Sequence, residues 1–174
     1  MMFLAYALQV ATTVIPADSA LQQIHNYVRI SERLATSGQM TYEQIEDIAN
    51  AGFEVVVNLA PAREERNGRE GFLMAEQGIT YVNIPVEWEA PKLRDLDMFF
   101  AVMNANRDRK VYVHCFANMR ASAFTYLYRT LDRGEDESAA RGDMEVIWDP
   151  ASQPQWGEFI EAARARAAQR SQWD

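Results

Sequence analysis

The residues best suited to chemistry lie together in Val113-His114-Cys115-Phe116-Ala117-Asn118-Met119-Arg120-Ala121-Ser122, which holds the only cysteine of the chain. A thiol is an intrinsically strong nucleophile, and a guanidinium is a planar fork of donors that matches a tetrahedral oxyanion. Cys115 with Arg120 therefore reads as a nucleophile beside an anion clamp, with His114 adjoining. The plainer alternative is a buried structural thiol, since free cysteines are often buried and inert. His114 has its own plain alternative, a satisfied core histidine.

Such a pair must be held by rigid elements, and the flanking residues supply them. Val111, Tyr112 and Val113 are β-branched or aromatic and predict a buried strand, while Ala123, Phe124, Leu127, Tyr128 and Leu131 recur at helical spacing. Cys115 then sits at the carboxyl end of a strand and faces the amino terminus of a helix, where free N–H groups and the helix dipole favour an anion.

Upstream, Tyr27 to Ser37 suggests one or two short strands broken near Ser31-Glu32. Thr41 with Gln44 makes a capping box for a helix that Gly52 ends. Phe53 to Leu59 is a near-continuous apolar run, as in a strand covered on both faces. Ala62 to Gly71 is charged and glycine-bearing and reads as a loop, followed by a short helix to Gly78 and a strand over Ile79–Ile84. Pro85 to Pro91 is a loop, and Leu93 to Asn106 an amphipathic helix. After Gly134 the pattern is helical over Glu135–Met144 and again from Ser152 or Gln155 to about Gln169, with Trp148 and Trp156 pinning these helices.

Strands alternating with helices imply crossover connections and a three-layer α/β domain with a mostly parallel sheet of four or five strands. Ligands in such sheets bind beyond the carboxyl ends of the strands, which places Asn58–Arg63, Val86–Ala90 and Cys115–Arg120 on one rim. The 174 residues, 48% hydrophobic, suit one core: residues 23–174 as the domain and 1–22 as an apolar extension. That extension has the apolar stretch and small residues of a secretory signal but no leading positive charge. It reads as a segment packed on the domain or on a second copy, in a cytoplasmic protein, with export as the alternative.

The formal charge of −8 argues against nucleic acid or an anionic membrane as the main partner, and no stretch is apolar enough to span a bilayer. No CxxC, HExxH or glycine-rich nucleotide loop occurs, so no metal or cofactor is called for.

The segments Ala35-Thr36-Ser37-Gly38-Gln39, Val55-Val56-Val57-Asn58-Leu59 and Tyr81-Val82-Asn83-Ile84-Pro85-Val86, followed by the Cys115 signature, occur in an order that resembles the cysteine-dependent protein tyrosine/dual-specificity phosphatases, in their small bacterial branch. The resemblance covers roughly residues 25 to 160. It implies a metal-independent phosphomonoester hydrolase acting on a phosphorylated protein or small phosphate ester through a cysteinyl-phosphate on Cys115. Arg120 would clamp the equatorial oxygens, the amides of Phe116, Ala117, Asn118 and Met119 would complete the cradle, His114 would organise the loop and Ser122 would supply its hydroxyl. Arg63, on the same rim, is a substrate contact or the partner of Glu64 or Glu65.

The acid that protonates the leaving oxygen is an aspartate in that family, whereas the loop here reads Pro85-Val86-Glu87-Trp88-Glu89-Ala90-Pro91. Glu89 is the first candidate, Glu87 the second and Asp95 a distant third.

The family signature has five residues between Cys and Arg, and only Phe116, Ala117, Asn118 and Met119 intervene here. The loop has no glycine, so Asn118 is the residue left to take a positive φ. Four-residue spacing also occurs in rhodanese-type sulfurtransferases. Persulfide transfer and a binding-only pseudo-phosphatase are accordingly the alternatives.

Overall fold

The computed structural model describes residues 16–170. The readings made for the extension up to residue 15, including a dimer formed through it, lie outside the described residues.

Val55, Val56 and Val57 alternate across the sheet, and each is fully buried because helices cover both faces. Five strands form the sheet: β1 (Val28–Arg29), β2 (Leu34–Ser37), β3 (Val55–Asn58), β4 (Thr80–Asn83) and β5 (Val111–His114), in the order β1-β2-β5-β3-β4. Only β1 runs antiparallel; β2, β3 and β4 lie parallel to their neighbours. β5 is therefore central, and its register sets Ser37 and Asn58 on either side of His114.

One face carries α1 (Pro16–Leu21), α2 (Ile45–Asn50) and α4 (Glu70–Glu76), which bury Leu21, Ile45, Ile48 and Met74 against Ala35, Val56 and Tyr112. The other carries α5 (Leu93–Ala105), α6 (Met119–Leu127), α7 (Glu137–Glu145) and α8 (Pro154–Arg170). There Phe99, Phe124, Met144, Trp156 and Phe159 pack on Val55, Val57, Val111 and Val113. α6 ends in a π turn over Tyr128–Asp132. This is the three-layer α/β domain expected, and no helix among the described residues is long and apolar enough to cross a membrane.

The boundaries hold with two corrections. The Thr41–Gln44 capping box forms, with Thr41 N donating to Gln44 Oε1 (2.9 Å) and Gln44 N to Thr41 Oγ1 (3.4 Å), yet regular helix starts only at Ile45. The 62–71 stretch is not a loop throughout: α3 (Glu64–Asn67) lies within it, and α4 begins at Glu70. Neither shows apolar periodicity there because what they bury is polar, Asn67 and Glu70. Asn67 closes the turn, accepting from Arg63 N (2.6 Å) and donating to Pro61 O (3.1 Å).

Candidate active site

β5 delivers Cys115, fully buried, into a loop whose outward polar groups are already engaged. Phe116 O accepts from Gln39 N (3.1 Å), Ala117 O from Asn26 Nδ2 (3.0 Å), and Cys115 N donates to Ser37 O (3.3 Å). Among the described residues no acceptor takes the N–H of Phe116 or Ala117. With the open amides of the first turn of α6, these donors suit an anion at the helix start. Gly38 allows the close approach: a Cβ there would lie 2.7 Å from His25 Cδ2 and 3.0 Å from Phe116 O.

Asn118 closes the loop in the left-handed region, φ +65°, as the absence of glycine predicts. It stands at the N-cap of α6 with no side-chain cap bond, and its Nδ2 donates to Asn26 O (2.7 Å) and Thr36 Oγ1 (3.0 Å). A left-handed residue preceding a helix turns successive amides toward one point, the geometry of an anion nest.

Arg120 is 9% exposed. Its Nε donates to Val86 O (2.9 Å), and its plane lies 5.2 Å from the Trp88 ring centre. Burial pulls the guanidinium below its ordinary range, while the neighbouring Cys115 sulfur and Glu87 pull the other way. Arg120 thus sits at the start of the helix that follows the Cys115 loop, tied to Val86, the residue before Glu87. Trp88 packs on Trp148 and Trp156 at 5.5 and 5.1 Å between ring centres, and Trp156 Nε1 donates to Trp88 O (3.0 Å). The loop between β4 and α5 is therefore bound to the carboxy-terminal helices and to Arg120 at once.

Behind Cys115 lies a polar cluster. The Glu70 carboxylate, fully buried, accepts from Asn58 Nδ2 (2.9 Å), Tyr81 OH (2.9 Å) and Gln39 Nε2. His114 Nε2 is 3.4 Å from Glu70 Oε2, off the hydrogen-bond axis, since neither ring nitrogen makes a hydrogen bond among the described residues. Burial works to raise the Glu70 pKa, but the His114 ring, Gln39 and Tyr81 outweigh it and hold the carboxyl below its ordinary range. Burial, and then the Glu70 charge, push the Tyr81 phenol up, which keeps it a donor.

The remaining candidates fall into place around this centre. Phe116 lies beneath the Arg66 guanidinium, 4.8 Å from its ring centre, and Met119 opens α6 with its carbonyl taken by Trp148 Nε1 (3.1 Å). The Ser122 hydroxyl donates to Met119 O (3.1 Å) and accepts from Trp148 Nε1 (3.1 Å). Those bonds hold it within α6 and its packing. Arg63 is exposed on the rim beside α3 and forms no ion pair with Glu64, Glu65 or any other described residue. Glu87 and Glu89 are both exposed on the Pro85–Pro91 loop. Asp95 lies in the first turn of α5, 3.5 Å from Arg94 Nε.

Sequence reasoning missed Glu70, Trp88 as a stacking surface and Gly38 as a contact point. Nothing local to Glu70 marks it, because its partners come from β3, β4 and β5. A glycine immediately after the buried Ser37 was the available signal for Gly38.

Comparison with known proteins bears on the fold and the family. A DUF442 protein from Shewanella putrefaciens CN-32 superposes with a TM-score of 0.76 at 34% identity, over 86% of this chain and 97% of the other. The TpbA structure from P. aeruginosa shares the fold at a TM-score of 0.63 and 17% identity, over 83% and 91%. A beta-lactamase hydrolase-like protein of Xylella fastidiosa is 31% identical over 109 residues, 60% of this chain. The chain spans about a quarter of the length of such curated relatives, 25%. The family model described as DSP-PTPase phosphatase fused to NAD+ kinase matches residues 13–159, a span that takes in every strand, the Cys115 loop and the start of α8. On that extent of match, the chain belongs to this DSP-PTPase phosphatase family.

Proposed function

We propose that the protein is a metal-independent cysteine phosphatase that hydrolyses phosphomonoesters through a cysteinyl-phosphate on Cys115. The observation that carries the reading is the buried Arg120 guanidinium in the first turn of α6, just after the loop that holds the buried Cys115, with the Trp88 ring and the Val86 carbonyl holding it in place. The Cys115 sulfur attacks phosphorus in line and the ester P–O bond breaks. Loop amides and the free edge of Arg120 hold the equatorial oxygens as charge builds on them. The leaving oxygen takes a proton from Glu87, which follows the Val86 carbonyl that holds Arg120, in preference to Glu89. Water then attacks phosphorus, Glu87 takes its proton, and the S–P bond breaks to release inorganic phosphate. Glu70 and His114 take no part in bond making; they brace the strand end that presents the sulfur.

Replacement of Cys115 by serine tests the reading. The variant should fold and bind vanadate yet lose turnover of an aryl phosphate, and undiminished turnover would remove the mechanism. The four-residue spacing favours one second reading, persulfide transfer. Incubation with thiosulfate followed by intact mass measurement separates the two, because only a sulfurtransferase gains one sulfur on Cys115.

A further inference from the structure

Arg66 stands at the mouth of the candidate site in an unusual posture. Its guanidinium carbon lies over the ring of Phe116, the residue after Cys115, at 4.8 Å from the ring centre. A guanidinium held over a ring by cation–π attraction can still use its N–H donors, and the Arg66 side chain makes no hydrogen bond and no ion pair among the described residues. Arg120 is held in the same manner, by the face of Trp88, with Nε engaged by Val86 O. Two arginine forks, each fixed by an aromatic ring, thus flank Cys115 and Phe116, one inside the cradle and one on its rim.

The surroundings strengthen the contrast. Arg63 and Arg69 stand on either side of Arg66 and are likewise without carboxylate partners among the described residues. Arg107, Arg109, Arg129, Arg141, Arg164 and Arg166 are each held in an ion pair elsewhere on the molecule, whereas Arg33 and Arg133, which form none among the described residues, lie near Val111 at the far end of β5 from Cys115. On a chain of net charge −8, which repels anions at long range, arginines without carboxylate partners beside the Cys115 loop offer a local place for an anion. The Asn67 bonds to Arg63 N and Pro61 O make the base of this arginine segment rigid.

We infer that Arg66 forms a second anion subsite, and that the substrate is a small phosphomonoester carrying a second phosphate group close to the one removed. The scissile phosphoryl group enters the Cys115 loop while the second phosphate meets the free edge of Arg66, with Arg63 nearby. This inference rests on the phosphatase reading for its first subsite but is tested separately from it.

The test is calorimetric titration of the full chain carrying Cys115→Ser with inorganic phosphate and with pyrophosphate. Pyrophosphate should bind at least about tenfold more tightly, and adding Arg66→Ala should reduce that ratio to within about twofold. Arg33→Ala, which removes an equal charge just before β2 at the opposite end of the sheet, should leave the ratio in place. Equal affinities for the two anions would overturn the inference, as would an Arg66→Ala variant that weakens both alike, or an Arg33→Ala variant that acts as Arg66→Ala does. An acidic phosphopeptide that outcompetes pyrophosphate at this mouth would also overturn it, by making the substrate a protein. If the wild-type chain fails to hydrolyse an aryl phosphate, the phosphatase reading falls, while the ratio of the two affinities still decides the fate of Arg66.

Discussion

Glu70 Oε2 lies 3.4 Å from His114 Nε2, with both side chains fully buried directly behind Cys115. A carboxylate so placed is stable only because Asn58, Tyr81 and Gln39 also point at it. The cluster joins β3, β4, β5, the residue after Gly38 and α4, so it braces the strand end from which the cysteine projects.

Replacing Glu70 by glutamine should cost about 2–4 kcal/mol at pH 7, since three donors and the His114 ring lose their charged acceptor. The folded pKa of Glu70 is lowered, so its contribution is present above the ordinary carboxylate range and fades as pH falls through the folded value. Thermal melts of wild type and Glu70→Gln should therefore lie far apart at pH 7 and draw together as pH falls through the lowered folded value. Coincident melts at pH 7 would show that the cluster is not bracing the fold.

Arg120→Lys keeps the charge but gives up both the planar fork and the stack on Trp88. Turnover of an aryl phosphate should fall about 100- to 1000-fold, chiefly in kcat, because the lost contacts strengthen in the transition state. A variant with near-normal kcat and a raised KM would instead mean that Arg120 only binds substrate.

For leaving-group protonation, the expected ranking places Glu87 above Glu89. Glu87→Gln should lower kcat about 100-fold on an alkyl phosphate and much less on a nitrophenyl phosphate, whose leaving oxygen needs no proton. Glu89→Gln should change neither by more than about twofold. Reversal of this order would return the role to Glu89.

Asn118 holds φ +65° and donates from Nδ2 to Asn26 O and Thr36 Oγ1. Asn118→Ala loses both bonds and retains the strain, whereas Asn118→Gly loses the bonds but relieves it. Denaturant melts should place the glycine variant about 1 kcal/mol above the alanine one.

Much of this site was legible in the chain. The β5–loop–α6 unit follows from β-branched residues running into helical spacing, and the positive φ of Asn118 follows from a glycine-free loop that must still turn. Glu70 was not legible: a glutamate among arginines and glycines looks solvated, and its burial comes from side chains on three strands far away in the chain. Ser122 was legible as a site residue, but its bond from Trp148 was not, because that partner arrives from beyond α7. Local pattern thus exposed the loop that presents the cysteine but concealed what surrounds it.

The tryptophan cluster has an optical consequence. Trp88, Trp148 and Trp156 touch one another, and Trp88 also faces Arg120; Trp173 lies outside the described residues. Indole emission is quenched by nearby charge and sharpened by rigid packing, so an oxyanion drawn to Arg120 alters the surroundings of the first chromophore and, through it, of the other two. The fold carries its own fluorophore at the mouth of the cradle. Ligand arrival can be timed by stopped flow on the unlabelled protein, without a chromogenic substrate.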